Sequence, residues 1–458
     1  MRNLDPIFEP KSIAVIGASH EPGKIGHVIT KNFIDGGFMG HVYPVNPSAD
    51  EILGLKAYPS VADVPGKIDS AVVAVHAELV PSILQQCGEK GISGVVVISG
   101  GFAEVGNHKL EQQLIDVSKK YDLNVIGPNC LGVLNPAARN DSIFLPIYKM
   151  GRPKVGDISF ISQSGAVGGC IIDLASRAGI GMGNFVSYGN ASVVDETDLL
   201  EYLAEDEKTR VIVAYMEGVK RGREFMEVAK KITHEKPVIV LKAGRGKAAQ
   251  EAAKSHTGSL AGSHEVYKAV FKQCRIIEAD GLEDLFNFSK ILDYPICSGD
   301  RIGIITNGGG TGVLAVDEIE KNGLQLAKFS DSTKEALRKI LPTYANATNP
   351  LDIIGDADSA RYEQAIDLVM KDQNVDFIVI IVLFQTVAID SRVVNVIVKA
   401  RDKGRKPIAV ISTGGEYTEF HRRIMDSYGV PTYGSPEDAL KAVARFVQYC
   451  KSKKPVKS

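Results

Sequence analysis

Short apolar runs recur along the whole chain, and longer stretches with helical spacing of apolar and polar positions separate them. Runs of this kind are typical of strands that are buried on both faces of a parallel sheet. Three of the runs, Ile13–Ile16, Ile158–Ile161 and Ile302–Ile305, are followed directly by a turn that contains glycine and small polar residues. We predict that each of the three opens a domain with a strand, a turn and a helix.

Further apolar runs alternate with helical stretches after each opening. The predicted elements are strands at Ala71–Val75, Val95–Ile98 and Asn124–Ile126 with a helix at Lys109–Lys119, then strands at Asn184–Tyr188, Val211–Met216 and Val238–Leu241, and finally strands at Phe377–Leu383 and Ile408–Ile411. Such alternation favours right-handed βαβ crossovers. The predicted fold is therefore α/β, with three consecutive Rossmann-like or flavodoxin-like, doubly wound domains of mainly parallel sheet at residues 1–128, 129–295 and 296–458.

The composition narrows the class of protein. With 458 residues, of which 44% are hydrophobic and 24% charged, the chain is typical of a globular protein of about three domains. The 53 lysines and arginines nearly balance the 55 aspartates and glutamates, which argues against binding to nucleic acid. No apolar run approaches the ~20 residues that span a bilayer, and Met1–Pro10 contains no apolar run of the kind that a signal peptide has. The six cysteines include no C-x-x-C pair. We expect a cytoplasmic protein without a metal site or a disulfide framework.

His256 lies in a polar stretch, Lys254–Gly262, whose hydroxyl and glycine residues predict a loop rather than a core position. A neutral imidazole ring keeps a lone pair that attacks phosphorus or carbon, or that binds a metal ion. Many histidines on polar loops are simply solvated. The local stretch alone leaves these alternatives open.

The first turn, Gly17–Gly26, resembles a dinucleotide-binding fingerprint but departs from it. Ser19 and Pro22 stand where the second and third glycines of G-x-G-x-x-G belong, and Asn46 follows the next strand in place of the acid that binds a nicotinamide cofactor's ribose. A nicotinamide-dependent dehydrogenase is therefore disfavoured. Lys24 favours a different ligand with phosphate groups, while a turn that only packs a helix on a strand remains the alternative.

The second and third turns have similar chemistry, and each is predicted to lead straight into a helix. The N–H groups and the partial positive charge at a helix N-terminus attract anions. Two such helix ends that face each other would enclose a phosphoryl group. The candidate phosphate-binding residues are Gln163, Ser164, Gly165 and Ala166 in the second turn and Gly309, Gly310, Thr311 and Gly312 in the third.

Glu217 directly follows the predicted strand Val211–Met216, so its carboxylate belongs at the same sheet edge as the second turn. There it is placed to hydrogen-bond one ring nitrogen of His256 and to stabilise the charge that develops when the other nitrogen takes up phosphorus. A strand-end acid that is merely solvated is the alternative.

Taken together, these motifs are similar to those of the α subunits of ADP-forming acetyl-CoA synthetases, also called ADP-forming acetate–CoA ligases. These belong to the acyl-CoA synthetase superfamily, which includes succinyl-CoA synthetase. The resemblance runs over essentially the whole chain. Its most specific segment is Ser255–Gly262, and the supporting segments are Gly127–Gly132, Ile161–Gly165, Tyr215–Gly218, Thr306–Gly310 and Asn349–Asp352.

The resemblance implies that the first domain binds coenzyme A or acetyl-CoA, that His256 is transiently phosphorylated and that Glu217 supports it. The surrounding stretch, residues 243–263, is long enough to carry the ring roughly 30 Å when extended. The sequence departs from the resemblance at His76, because relatives commonly have proline there. The implied coenzyme A contacts are Gly17, Ser19, Lys24, Gly26, Asn46, Val75, Ser99 and Gly100, and the implied acyl or phosphate pocket contains Asn129 and Cys130.

The implied reaction reversibly converts an acyl-CoA, ADP and inorganic phosphate into a carboxylic acid, coenzyme A and ATP, through an acyl phosphate and a phosphohistidine. The chain contains no G-x-x-x-x-G-K-[ST] motif for nucleotide binding. The resemblance implies that a β subunit with an ATP-grasp domain binds ADP or ATP with Mg²⁺, in an α2β2 heterotetramer. A succinyl-CoA synthetase-type ligase and a non-catalytic, coenzyme A-sensing protein remain alternatives. The preferred acid, whether acetate, a branched acid or an aryl acid, also stays open.

Overall fold

The structure is a computed structural model that describes residues 1–246, 248–249, 263–292, 294, 297–404 and 406–453. The chain forms two compact units, Met1–Asp280 and Gly281–Ser458. The described residues include two large, mainly parallel sheets in the first unit and one in the second.

The N-terminal part of the first unit contains β1 (Ser12–Ile16), β2 (His41–Val45), β3 (Glu51–Ile52), β4 (Leu55–Lys56), β5 (Ser70–Val73), β6 (Gly94–Val97) and β7 (Asn124–Ile126). Its helices are Asp5–Phe8, Ile25–Asp35, Val80–Glu89 and His108–Lys120. Neighbours in the five-stranded sheet, ordered β2-β1-β5-β6-β7, are all parallel, and β3 and β4 form a separate antiparallel hairpin. The strand order reverses at β1, since β2 lies on one side of β1 and β5, β6 and β7 lie on the other. This reversal leaves a crevice outside the carboxyl ends of β1 and β5.

The second sheet contains β8 (Gly132–Asn135), β9 (Asn140–Asp141), β10 (Ile158–Ser162), β11 (Phe185–Ser187), β12 (Val211–Met216), β13 (Val238–Lys242) and β14 (Ile277–Glu278). Its helices are Gly165–Ala178, Glu196–Glu205, Gly222–Ile232 and His264–Gln273. The order is β14-β13-β12-β10-β11-β8-β9, and only the β11–β8 and β8–β9 pairs are antiparallel. One cluster of buried apolar residues contains side chains from β1 and from β12, so these two sheets share a core within the first unit.

The second unit contains β15 (Arg301–Thr306), β16 (Gln325–Leu326), β17 (Leu351–Asp352), β18 (Phe377–Ile381), β19 (Ile408–Ile411) and β20 (Thr432–Tyr433). Its helices are Leu282–Ile291, Gly309–Lys321, Asp331–Arg338, Ser359–Lys371, Arg392–Asp402, Glu416–Ser427 and Pro436–Lys453. All strand pairs in this sheet are parallel, in the order β16-β15-β18-β19-β20. The short strand β17 pairs with the last residues of β15, beyond the part of β15 that pairs with β16.

The same arrangement occurs in all three large sheets. In each sheet the strand of the predicted opening run, β1, β10 or β15, is an interior strand, with the next strand of the chain on one side and the later strands on the other. Every residue of β1 and β10 is buried, as is all of β15 after Arg301. The opening runs of the sequence are apolar throughout because both faces of these strands are covered.

The predicted α/β class, with doubly wound and mainly parallel sheets, is confirmed. The strands Asn124–Ile126, Val211–Met216 and Ile408–Ile411 have their predicted bounds. The second and third turns lead into helices at Gly165 and Gly309, whereas residues 17–24 separate β1 from its helix. The sequence did not predict the antiparallel hairpin of β8 and β9. The division into three domains at residues 128 and 296 stays a prediction.

Within the part of the chain that the structure describes, none of the helices combines the length and the apolar composition that crossing a membrane requires.

Candidate functional site

A cavity of about 620 Å³ opens in the first unit where loops from its two large sheets meet. The loops that follow β6, β10, β11 and β12 contribute to its lining, as expected for the carboxyl ends of strands in an open α/β sheet. Among the lining residues are seven of the predicted site residues: Asn129, Cys130, Gln163, Ser164, Gly165, Ala166 and Glu217.

The second turn places a helix N-terminus at this cavity. The Ser162 hydroxyl donates to the Ser164 carbonyl at 2.7 Å, and the helix begins at Gly165. The Ser164 hydroxyl accepts a hydrogen bond from the Val167 amide at 3.4 Å. Because the first-turn amides of a helix have no acceptor within the helix, this end suits an anion such as phosphate.

Gln163 connects this turn to the end of the neighbouring strand. Its side-chain oxygen accepts hydrogen bonds from the amides of Glu217, at 2.7 Å, and of Gly218, at 3.1 Å. Gln163 thereby holds the backbone at Glu217 beside the helix N-terminus. The predicted proximity of the turn and Glu217 is present in the structure.

Glu217 is buried, with 7% of its surface exposed, so the alternative of a solvated strand-end acid is wrong. The Tyr215 hydroxyl donates to one oxygen of the Glu217 carboxylate at 3.4 Å. Burial and then the negative charge of Glu217 raise the pKa of Tyr215 to about 12. Tyr215 therefore stays a hydrogen-bond donor at neutral pH.

Lys242 is a buried lysine that the sequence reasoning missed. It ends β13, pairs with Met216 of β12, and is 2% exposed. Its ammonium group lies 4.6 Å from the centre of the Tyr267 ring. Burial lowers the pKa of Lys242, and the negative charge of Glu217 opposes that shift. A lysine that ends an otherwise apolar strand was the signal available in the sequence.

A second missed group connects the loops of the two sheets. The side-chain amide of Asn190 donates to Glu104 at 2.6 Å and to Glu111 at 3.0 Å. Asn129 donates to the Asn190 oxygen at 3.3 Å, and the Ser192 hydroxyl donates to Glu111 at 2.7 Å. This network fixes Asn129 and Asn190 at the cavity. No sequence motif indicated it, because its members come from separate loops.

Glu104 belongs to this network as a carboxylate. Burial on its own raises the pKa of Glu104. Hydrogen bonds from Asn190 and from the backbone amides of Gly101 and Phe102 outweigh burial and hold that pKa below its usual range. The carboxylate is ionised at neutral pH, which suits its role as an acceptor.

Cys130 lies against the cavity as a buried thiol rather than a nucleophile. It is 3% exposed, and its sulfur donates to the Val97 carbonyl at 3.2 Å. Burial raises the pKa of Cys130 to about 12, so the thiolate is scarce at neutral pH.

The predicted coenzyme A residues surround the crevice of the first sheet and do not line the cavity itself. Gly17 follows β1 at φ 88°, where an added Cβ would clash with the Ala74 carbonyl, and an added Cβ at Gly26 would clash with the Gly17 carbonyl. Asn46 donates to the Ala18 carbonyl at 2.8 Å. These contacts bring the turn close to the helix that starts at Ile25.

The remaining predicted coenzyme A residues lie at the same crevice. Lys24 forms an ion pair with Glu21 at 2.9 Å. The Ser99 hydroxyl donates to the Val75 carbonyl at 2.6 Å and so connects the loops after β5 and β6, with Gly100 next in the chain. Ile25 and Ile98, neighbours in sequence of Lys24 and Ser99, line the cavity. The crevice and the cavity are therefore adjacent.

The third turn belongs to the second unit and is built in the same way as the second turn. The Thr306 hydroxyl donates a hydrogen bond to the Gly308 carbonyl at 3.0 Å and accepts one from the Gly308 amide at 2.9 Å. Asn307 accepts from the Leu383 amide at 2.9 Å, after the neighbouring strand β18, as Gln163 does after β12. The helix begins at Gly309, and Gly309 and Gly310 are exposed. The pairing of this helix end with the one at Gly165 stays a prediction.

His256 and the rest of residues 250–262 lie outside the described residues. Its phosphorylation, its contact with Glu217 and the reach of residues 243–263 stay predictions.

Three family models match successive parts of the chain. Residues 11–136 match a CoA binding domain, residues 155–292 a succinyl-CoA ligase like flavodoxin domain, and residues 302–449 a ligase-CoA domain. The α subunit of acetate–CoA ligase (ADP-forming) II from Pyrococcus furiosus is 40% identical over 456 residues, which cover 98% of each chain. The chain belongs to the ADP-forming acetate–CoA ligase family.

Two further relatives extend this comparison of the acetate–CoA ligase family. A 4-hydroxybutyrate–CoA ligase (ADP-forming) from Nitrosopumilus maritimus is 39% identical over 451 residues, which cover 97% of this chain but 64% of that protein. The solved structure of the dinucleotide-forming acetyl-coenzyme A synthetase 1 from Ca. Korarchaeum cryptofilum, in complex with phosphate and ADP, aligns with a TM-score of 0.92 and 38% identity, covering 99% of this chain and 98% of that one. The resemblance found in the motifs is confirmed.

Proposed function

We propose that this chain is the α subunit of an ADP-forming acyl-CoA synthetase, which converts an acyl-CoA such as acetyl-CoA, ADP and phosphate into the acid, coenzyme A and ATP. The observation that carries the proposal is the cavity in which the N-terminus of the helix Gly165–Ala178 meets Glu217 beside the crevice of the first sheet. A phosphate at that helix end lies next to a thioester that enters from the crevice.

In the first step, a phosphate oxygen attacks the carbonyl carbon of the thioester. The carbon–sulfur bond breaks, coenzyme A leaves with the phosphate proton on its sulfur, and an acyl phosphate forms. The first-turn amides near Gly165 and Ala166 hold the phosphate oxygens and oppose their charge. The crevice residues that include Gly17 and Lys24 hold coenzyme A.

In the second step, a ring nitrogen of His256 attacks phosphorus, the phosphorus–oxygen bond to the acyl group breaks, and the carboxylate leaves. Glu217, held in place by Gln163, stabilises the positive charge on the ring. In the second unit, Gly309, Gly310, Thr311 and Gly312 form the other candidate phosphate turn.

In the third step, ADP on a partner β subunit takes the phosphoryl group from His256 and becomes ATP. An ATP-grasp domain of that subunit binds ADP with Mg²⁺, and the assembly is an α2β2 heterotetramer. Relatives support a separate partner, because this chain spans 64% of the 4-hydroxybutyrate–CoA ligase but 98% of a protein that is itself named an α subunit.

The purified chain tests the first two steps without a partner. We expect labelled phosphate and acetyl-CoA to produce an acid-labile, base-stable phosphoprotein, and His256→Ala to abolish the label. His234→Ala is the matched control, since His234 is exposed and does not line the cavity. A chain that takes up no label from any acyl-CoA contradicts the proposal and favours a coenzyme A-sensing protein.

A further inference from the structure

We propose that Leu131, Phe144 and Leu145 form the wall that receives the acyl group, and that Leu145 sets the largest acyl group that this protein accepts. This inference rests on the proposed function. It assigns a role to a loop, residues 143–150, that no motif of the sequence singled out.

The three residues are apolar and line the cavity. A Cβ placed on Gly165 would lie 3.5 Å from Cβ of Leu131, and one placed on Gly169 would lie 3.1 Å from Cδ1 of Leu145. Both leucines therefore cover the first turns of the helix whose N-terminus is assigned to phosphate. Because the attacked carbonyl must lie about 3 Å from the phosphate oxygen, its substituent is within reach of both.

The polar residues of the cavity lining do not suit an apolar group. These residues include Glu111, Asn190, Glu217 and Lys220. Lys220 donates to the carbonyls of Asn190 at 2.8 Å and of Ala191 at 3.0 Å. An acyl tail of carbon and hydrogen gains nothing by desolvating these groups, so it turns towards the leucines and Phe144.

The loop that carries Phe144 and Leu145 is held by buried polar contacts. The Leu145 carbonyl accepts hydrogen bonds from Asn32 at 3.1 Å and from Arg152 at 2.8 Å. Asn32 also donates to the Ile143 carbonyl at 2.7 Å. Arg152 forms an ion pair with Asp141 at 2.7 Å, in which the two side chains are 14% and 6% exposed. These contacts hold the backbone of the wall, so its side chains set a definite limit on size.

Two variants of Leu145 change this limit in opposite directions. Leu145→Ala enlarges the space over the helix, and Leu145→Phe fills it. One methylene in an apolar pocket changes the preference between substrates about 10- to 200-fold. The quantity to compare is the ratio of the rate with phenylacetyl-CoA to the rate with acetyl-CoA. We expect Leu145→Ala to raise this ratio about tenfold or more, and Leu145→Phe to lower it.

The measurement is the single-turnover phosphorylation of the full chain by labelled phosphate with acetyl-CoA, butanoyl-CoA and phenylacetyl-CoA in turn. Tyr148→Ala is the matched control, because Tyr148 lies on the same loop, is 80% exposed and does not line the cavity. Its ratio of rates should equal that of the wild type. Leu145→Val should change the ratio of rates in the same direction as Leu145→Ala but by less. It is used in place of Leu145→Ala if the alanine variant unfolds below the temperature of the assay.

The outcomes separate this inference from the function on which it rests. If no acyl-CoA labels the wild type, the proposed function fails and the inference fails with it. If the wild type is labelled but the ratio of rates is the same in Leu145→Ala, Leu145→Val and Leu145→Phe, the function stands and the wall is assigned wrongly. Opposite shifts in the smaller and larger variants, with no shift in Tyr148→Ala, support it.

Discussion

Burial changes the acid–base chemistry of single side chains around the cavity. Cys130 stays a thiol at neutral pH because burial raises its pKa to about 12, so it is a poor nucleophile in the proposed reaction. The pairing of β13 with β12 places Lys242 beside Met216, next in the chain to Glu217. Neither property follows from residue type, since both depend on what covers the side chain.

Glu196 offers a test of burial by pH. It begins the helix Glu196–Glu205 and is 1% exposed. Burial, followed by the negative charge of Asp195, raises the pKa of Glu196 from 4.5 to about 7. Between these values the folded chain holds a proton that the unfolded chain has lost. The free energy of unfolding therefore falls as the pH rises through this window.

Glu196→Gln removes the titrating group. We expect the free energy of unfolding of the wild type to fall between pH 5 and pH 8 by about 2 kcal/mol more than that of the variant. Urea unfolding at both pH values measures this difference. Glu205→Gln, at an exposed acid of the same helix, should leave the pH dependence of the wild type in place. Equal pH dependence in Glu196→Gln and the wild type would contradict the assignment.

At the scale of elements, strand ends are held by amide side chains rather than by backbone pairing alone. Gln163 and Asn307 each accept a hydrogen bond from an amide just beyond the neighbouring strand. Asn349 has a related role between β15 and β16. It accepts from the Ile304 amide at 2.9 Å and donates to the carbonyls of Ile302, at 2.8 Å, and Ala327, at 2.9 Å.

Asn349→Leu keeps a side chain of similar size but removes these three hydrogen bonds. We expect the free energy of unfolding of the second unit to fall by about 2–4 kcal/mol, because buried backbone groups are left without hydrogen-bond partners. Hydrogen exchange should accelerate at Ile304 and along β15, with β10 in the first unit unchanged. Gln325→Leu, at an exposed position of β16, is the control. Unchanged exchange at Ile304 in Asn349→Leu would show that water replaces the side chain.

At the scale of the whole molecule, the proposed reaction separates the chemistry of the acyl group from that of the nucleotide. The cavity lies in the first unit, the second candidate phosphate turn lies in the second unit, and the proposed nucleotide site lies on another subunit. A phosphohistidine links these places in the proposed reaction. Transfer between separate sites requires an intermediate that survives the passage.

Metal removal separates the two halves of this reaction. We expect the chain alone to become phosphorylated by acetyl-CoA and phosphate at an unchanged rate in EDTA, because amides rather than a metal oppose the phosphate charge. Discharge to ADP should require both the partner subunit and Mg²⁺, so EDTA should trap the labelled chain. A chase of labelled phosphoprotein with ADP measures this, and label transferred to ADP in EDTA would be inconsistent with it.

Much of the fold was predictable because its signals are local. Apolar runs such as Val211–Met216 and turns such as Gln163–Ala166 are contiguous in sequence, and parallel pairing brings their carboxyl ends to one edge. The position of Glu217 beside the second turn followed from that rule alone. The hairpin of β8 and β9 was missed because its strands are short and extend the sheet from its edge.

The sequence by itself determined the α/β class, the turns and the family, since these depend on residues that are neighbours in the chain. Only the tertiary structure decided which polar groups meet at the cavity. Asn190 and Glu104 are 86 residues apart, and Asn32 and Leu145 are 113 apart. Such pairs cannot be predicted from the periodicity of apolar and polar residues, because that periodicity depends only on position along the chain. The free energy of a hydrogen bond depends instead on burial and on the distance between the two groups in space.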